Sequence, residues 1–235
     1  MKKINFPKLL VLVRHAESAR NTKKKGVFFK DQAEKIVAGE LSDENISLTE
    51  RGIEQARQTG VALRKAYGLF DVVFHSGYVR AEETVKYILE GYGRDRVKIE
   101  SRAHSDILLR ERAGGYTRNM LAEEVRKHFP WRKNYWDNSH PMFAVPPGGE
   151  SVADVCTRIN VFLVKLRLDY PDKKVLVVSH ARTTDAFRMV NEELSFEKTG
   201  LISKTDPANC GVTEYKYKPD LGKLILCSYD VTYWK

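Results

Sequence analysis

The chain has 235 residues, 42% hydrophobic and 30% charged, which excludes intrinsic disorder and allows a sizeable buried core. Three widely spaced cysteines (Cys156, Cys210, Cys227) with no CxxC exclude a disulfide framework and a cysteine zinc site. The net charge of +9 points to anionic partners, and residues 1–40 hold ten Lys/Arg against four Asp/Glu. No nucleic-acid motif accompanies Lys23-Lys24-Lys25, so a basic face that draws a small phosphorylated substrate is a better reading than nucleic-acid binding. No uncharged apolar run approaches the roughly 18 residues of a membrane span. Residues 9–13 are too short for a signal-peptide core and run into Arg14-His15 without a cleavage site, so no membrane partner and a cytoplasmic location are expected.

In chain order, residues 8–13 read as a buried parallel strand entering a polar turn. Residues 49–67 read as a helix with Ile53, Ala56, Gly60 and Leu63 at 3–4 spacing, ended by Gly68. A strand over 71–75 and a helix over 79–90 follow, then a third strand over 97–100 and a helix over 117–129 that stops at Pro130. Residues 151–168 carry a helical apolar stripe of Val152, Val155, Ile159, Phe162, Leu163 and Leu166. Residues 175–178 are wholly apolar, as in a strand buried on both faces, and a helix follows over 183–192. Strands over 211–217 and 223–229 flank Asp220-Leu221-Gly222 as an antiparallel hairpin. This alternation predicts an α/β fold, a three-layer α/β/α sandwich with a mostly parallel central sheet, in one domain over 1–235. Segments 19–48 and 130–150 are long for plain connections and are lid candidates.

Polar clusters stand where the strands of such a sheet end, which is where open α/β sheets bind ligands. Arg14-His15 follows the first strand and Ser76 with Arg80 the second. Arg110-Glu111-Arg112 follows the third strand region, and Ser179-His180 follows 175–178. Guanidinium forks suit phosphate, and a neutral imidazole can attack phosphorus or donate to its oxygens. Alone, an Arg-His pair after a strand is more often structural, and Glu111 is compatible with surface ion pairs to its arginine neighbours.

Val13-Arg14-His15-Ala16-Glu17-Ser18, with Asn21 beyond it, resembles the signature of the histidine phosphatase superfamily, the phosphoglycerate-mutase-like fold (branch 1). Five further blocks are similar to that family's in the same order: Leu48-Thr49 to Gln55-Ala56, Ser76 to Thr84, Leu109-Arg110-Glu111 to Gly115, Pro147-Gly148-Gly149-Glu150-Ser151, and Val177-Val178-Ser179-His180. The resemblance covers about residues 8–217. It implies that His15 is a nucleophile forming phosphohistidine, and that Arg14, Arg80 and His180 hold the phosphoryl group. Asn21 and Ser18 would add phosphate contacts, and Glu111 would act as acid and then base. It implies no metal, since arginines neutralise the charge. A 2,3-bisphosphoglycerate-type primer is implied only for a mutase, and a homodimer only because dimers are common in the family.

The chain departs from the mutases of that family. Ala16 stands for the common glycine, the stretch between Asn21 and Leu48 lacks a TGW sequence, and no paired arginines for a substrate carboxylate are evident after Glu111. The blocks Asp43 to Thr49, Gly148 to Val155 and Asn209-Cys210 look similar to a mutase-like subgroup for which phosphatase activity is the better assignment. The resemblance therefore implies a metal-independent phosphatase. A phosphomutase is the alternative, and a module that binds phospho-ligands without turnover is a third reading.

Overall fold

The structure, a computed structural model, describes residues 5–23, 42–195, 197–199 and 206–234. The apolar run Leu9–Arg14 forms β1, all six residues buried. After the short helix α1 (Ala19–Lys23) and a 3-10 turn at Asp43–Asn45, helix α2 spans Glu50–Tyr67. Strand β2 (Val72–His75) leads into α3 (Val79–Gly91). Then come α4 (Val97–Glu100), β3 (Ala103–Ser105), α5 (Ala122–His128), α6 (Arg132–Asn138) and α7 (Val152–Asp169). Strand β4 (Lys174–Ser179), α8 (Ala181–Asn191), β5 (Val212–Lys218) and β6 (Lys223–Val231) complete the order.

The six strands form one sheet in the order β3-β2-β4-β1-β5-β6. Strands β3, β2, β4 and β1 run parallel, and the β5–β6 hairpin adds two antiparallel strands at one edge. Both faces are covered, which is why β1 and β4 read as unbroken apolar runs. Side chains alternate across the sheet. Val11, Val13, Val73, Leu176 and Val178 pack with Ala56, Leu63, Val85 and Ile88 of α2 and α3. Leu10, Leu12, Phe74, Val175 and Val177 pack with Val155, Ile159, Phe162 and Leu166 of α7 and Phe187 of α8. The result is the expected three-layer α/β/α sandwich.

Gly60 marks where α2 and α3 come closest. A Cβ there would lie 2.0 Å from the Ile88 carbonyl oxygen, a backbone atom that cannot step aside. Gly60→Ala is therefore expected to cost about 1–3 kcal/mol of stability despite alanine's higher helix propensity. A urea unfolding midpoint equal to that of wild type would contradict this packing.

Three elements differ from the sequence reading. Residues 97–100 form the helix α4 and not a strand: their alternation is that of a single helical turn in which only Ile99 is buried. The third strand is instead Ala103–Ser105, pairing in parallel with β2 through Val73 and Ala103. The helix expected over 117–129 is divided into a 3-10 turn at Tyr116–Asn119 and α5, with Leu121 as its N-cap. Segment 130–150 contains α6, and most of segment 19–48 lies outside the described residues. No helix among the described residues is long and apolar enough to cross a membrane.

Candidate active site

Strands β1, β4 and β2 are neighbours, and their registers align Arg14 with Ser179 and His75 with Val178. The residues just past each strand, His15, His180 and Ser76, are therefore brought together by the sheet itself. The His15 and His180 rings stand 5.2 Å apart, and His15 N–H donates to the Ser179 carbonyl at 2.8 Å.

The motif spacings acquire physical reasons here. Along α3 and its entry, Ser76, Arg80 and Thr84 fall on one face. Ser76 Oγ meets His180 Nε2 at 2.7 Å, Arg80 reaches the site, and Thr84 Oγ1 accepts from Ala16 N–H at 3.0 Å. At the start of α2, Thr49 caps the helix and donates to Glu17 Oε1 at 2.8 Å, while Gln55 Oε1 accepts from Glu17 N–H at 3.0 Å. Gly52 lies under this turn, where a Cβ would be 2.0 Å from the Glu17 carbonyl oxygen. Helix α2 thus holds the turn that carries His15. Glu150 binds Arg158 at 3.1 Å and accepts from Ala113 N–H at 2.8 Å, so the loop before α7 braces the loop of Glu111.

Hydrogen-bond geometry sets the His15 tautomer. His15 Nδ1 lies 2.7 Å from the Ala16 carbonyl oxygen, an acceptor only, so Nδ1 carries the hydrogen and Nε2 keeps its lone pair. Ser76 Oγ accepts from Tyr78 N–H at 3.3 Å and lies 2.7 Å from His180 Nε2, placed to give its own hydrogen to that nitrogen. In that arrangement His180 Nδ1 bears the single ring hydrogen of the neutral imidazole. That atom is buried and has no hydrogen-bond partner among the described residues.

A cavity of about 600 Å³ opens over this cluster. Arg14, His15, Ser18, Asn21, Arg80 and Glu111 line it, whereas His180 is fully buried beneath, against His15 and Tyr78. Asn21 Oδ1 accepts from Ser18 N–H (3.0 Å), Ser18 Oγ–H (2.9 Å) and Asn209 Nδ2–H (3.3 Å), which leaves its amide hydrogens as its donors toward the cavity. Glu111 is held by the backbone N–H groups of Arg112 (2.7 Å) and Arg182 (3.4 Å), the latter at the start of α8.

The site is strongly cationic. Beyond Arg14 and Arg80, the cavity is lined by Arg20, Arg112, Arg118, Arg132 and Arg182, against Glu111 and Asp206. Burial first, then the charges of Arg80 and Arg14, hold His15 well below an ordinary histidine pKa. Burial, Arg80 and His15 do the same to His180, so both rings are neutral at pH 7. Asp185, behind Arg182, is pushed up to about 7 by burial, which outweighs its 2.7 Å contact with that arginine. Among the described residues no group of three or more His, Cys, Asp or Glu is placed to hold a metal.

These shifts predict a pH dependence of stability. A histidine whose folded pKa is depressed binds protons more readily when unfolded, so stability falls as pH drops below about 6.5. Asp185 acts in the opposite sense, favouring the fold as pH falls from about 7 toward 4. Each group contributes up to about 1.4 kcal/mol per pH unit, and two histidines outweigh one aspartate. Urea unfolding between pH 7 and 5 is expected to show a net loss; constant stability would contradict buried neutral imidazoles.

Residues 10–229 match the family model of the histidine phosphatase superfamily (branch 1). The chain is an enzyme of the histidine phosphatase superfamily. It is 31% identical over 221 residues to a 2,3-bisphosphoglycerate-dependent phosphoglycerate mutase of Nitrobacter hamburgensis, covering 91% of this chain and 93% of that one. A mutase of the same name from Bradyrhizobium diazoefficiens is 33% identical over 199 residues, covering 81% and 84%. Among solved structures, the chain is similar to a mycobacterial glucosyl-3-phosphoglycerate phosphatase (TM-score 0.66, 21% identity, 95% and 98% of the two chains). A phosphoserine phosphatase of Entamoeba histolytica gives a TM-score of 0.66 at 21% identity, over 95% and 97%. At these identities the structures speak for the shared fold.

In this superfamily enzyme, Arg14, His15, Ser18, Asn21, Arg80 and Glu111, the residues expected at the site, line the cavity, and His180 lies directly beneath it. Sequence reasoning named Arg112 beside Glu111 and quoted Asp43 and Asn209 only as subgroup likenesses, with no role for them, and it missed Arg20, Arg118, Arg132 and Arg182. Asn209 Nδ2 donates to the His15 carbonyl at 3.0 Å, bracing the turn from the far end of the chain. Only the abundance of arginine hinted at these four arginines, because they come from separate segments with no shared motif.

Proposed function

We propose that the protein is a metal-independent phosphomonoesterase working through phosphohistidine on His15. The His15 Nε2 lone pair attacks phosphorus as the bond to the ester oxygen breaks. Glu111 gives that oxygen its proton, releasing the alcohol. Arg14, Arg80 and the Nδ1–H of His180 bind the equatorial oxygens as charge develops, and Asn21 and Ser18 complete the cradle. Glu111, now ionised, takes a proton from water. The resulting hydroxide equivalent attacks the phosphohistidine, the P–N bond breaks, and orthophosphate leaves. No step needs a metal or a primer.

The observation that carries hydrolysis over transfer within a bisphosphorylated substrate is the state of the outer arginines. Arg20 and Arg118 are engaged by Asp43, and Arg182 by Asp185 and Asp206, so three of the five already have carboxylate partners within the chain. The inner arginines are also paired, Arg80 with Asp43 at 3.3 Å and Arg14 with Asp206 at 3.8 Å. Theirs, however, are the charges that act on His15, so the cradle nearest the nucleophile is the one a single phosphate would enter. A second reading, a phosphoglycerate mutase-type phosphomutase primed by a bisphosphorylated compound, is favoured by the named activity of the relatives at 31% and 33% identity. The two separate in one assay series with EDTA present: phosphate release from sugar phosphates, phosphoglycerates, nucleotides and phosphopeptides, beside interconversion of 3- and 2-phosphoglycerate primed with 2,3-bisphosphoglycerate. Net phosphate release is expected to dominate. Rapid interconversion without phosphate loss would overturn the phosphatase reading.

A further inference from the structure

Among the described residues Asp43 meets three arginines, and neither the family's site motifs nor the reaction above gives it a role. Its carboxylate gathers three arginines from three elements. Oδ1 takes Arg20 of α1 at 2.8 Å. Oδ2 takes Arg118 of the 3-10 turn at 3.1 Å and Arg80 of α3 at 3.3 Å. Its backbone carbonyl also accepts from Arg80 Nη1. The three arginines line the cavity, and Asp43 is not among the lining residues. Its side chain is only 16% exposed.

A carboxylate bound by converging guanidinium forks fills the same donor positions as two oxygens of a phosphate. Burial works to raise the pKa of Asp43, but Arg118, Arg80 and Arg20 together hold the carboxyl below its ordinary value, so it stays ionised at pH 7. The arginines are crowded in turn: Arg20 is pushed down to about 10, by burial first and by Arg118 second. Without a counter-charge, this wall would be a cluster of cations in want of an anion.

We propose that Asp43 is a specificity-determining residue: a built-in counter-anion that occupies the arginine wall and restricts the cavity to ligands bearing a single phosphate group. The proposal rests on the phosphomonoesterase reading, since it explains why a bisphosphorylated ligand would find its second cradle already filled. Its charge can be removed with little loss of anchoring, because the backbone carbonyl of residue 43 still receives Arg80.

The test reads binding and not turnover, so it stands even if the enzyme proves to be a mutase. Orthophosphate and methylenediphosphonate, a non-hydrolysable ligand with two phosphonate groups, are titrated calorimetrically into wild type, Asp43→Asn and Asp43→Glu, each checked by thermal melting. In Asp43→Asn, the diphosphonate is expected to bind on the order of tenfold tighter and orthophosphate only about two- to threefold tighter. Asp43→Glu should keep the wild-type ratio. Equal gains for both probes would mean a general field effect and overturn the subsite. Unchanged or weaker binding of both would make Asp43 a structural clamp and overturn the proposal. Should Asp43→Asn fail to fold, Asp43→Ser removes the same charge with a smaller side chain, and the same outcomes decide.

Discussion

His15→Ala protein is expected to release phosphate from any accepted monoester at least about 10⁴-fold more slowly than wild type, because a lost nucleophile cannot be replaced by binding contacts. The loss should fall on kcat, with substrate binding retained through Arg14, Arg80 and Asn21. The fold should survive. His15 lies at the end of a strand whose position is fixed by β4 and β5 pairing and by Asn209, none of which needs the imidazole. Removing a buried, desolvated ring also removes its cost of protonation, so the acid-side loss of stability should become shallower in this variant. Turnover within tenfold of wild type would remove His15 from the mechanism.

Glu111→Gln separates proton transfer from the rest of the chemistry. The substitution keeps the side-chain volume and one oxygen, which can accept from the closer Arg112 N–H while the longer 3.4 Å contact from Arg182 N–H is lost, and it cannot deliver a proton. Alkyl phosphates, whose leaving oxygen needs that proton, are expected to lose about 10²- to 10⁴-fold in kcat. An aryl phosphate, whose phenolate leaves without help, should lose much less in its first step and show a burst before slow hydrolysis of the phosphoenzyme. Equal losses on both substrate types, with no burst, would assign Glu111 to positioning and not to acid catalysis.

Much of this architecture was legible in the sequence because burial writes a clear pattern where both faces of a sheet are covered. Residues 8–13 and 175–178 had to be central parallel strands, and the polar residues at their ends then had to meet. The Ser76-Arg80-Thr84 spacing, the helix-entry block with Gly52 and Gln55, and the Glu150 brace are consequences of that meeting, which is why six short blocks in order carried the site. What escaped was local. Val97-Lys98-Ile99-Glu100 alternates as a strand would, yet one buried residue, Ile99, suits a helical turn equally well. Ala103-His104-Ser105 carries no β-branched residue and is a strand only because β2 offers it an edge. Helix α6 has no apolar stripe: it is supported by the Lys133–Asp137 pair and by Arg132 stacked 4.4 Å from the Trp136 ring centroid, so hydrophobic periodicity could not find it. The outer arginines reach the cavity, and Asp43 reaches the arginines behind it, from segments far apart in the chain, and only the folded sheet brings them together.

The central claim is that His15 carries the phosphoryl group. Its most direct test is rapid quenching of wild-type enzyme with a ³²P-labelled monoester, followed by peptide mapping. Label is expected on the peptide containing His15, stable in alkali and labile in acid as a phosphoramidate is, and absent from His15→Ala. Label on another residue, or steady turnover with no phosphoenzyme at any time point, would contradict the account.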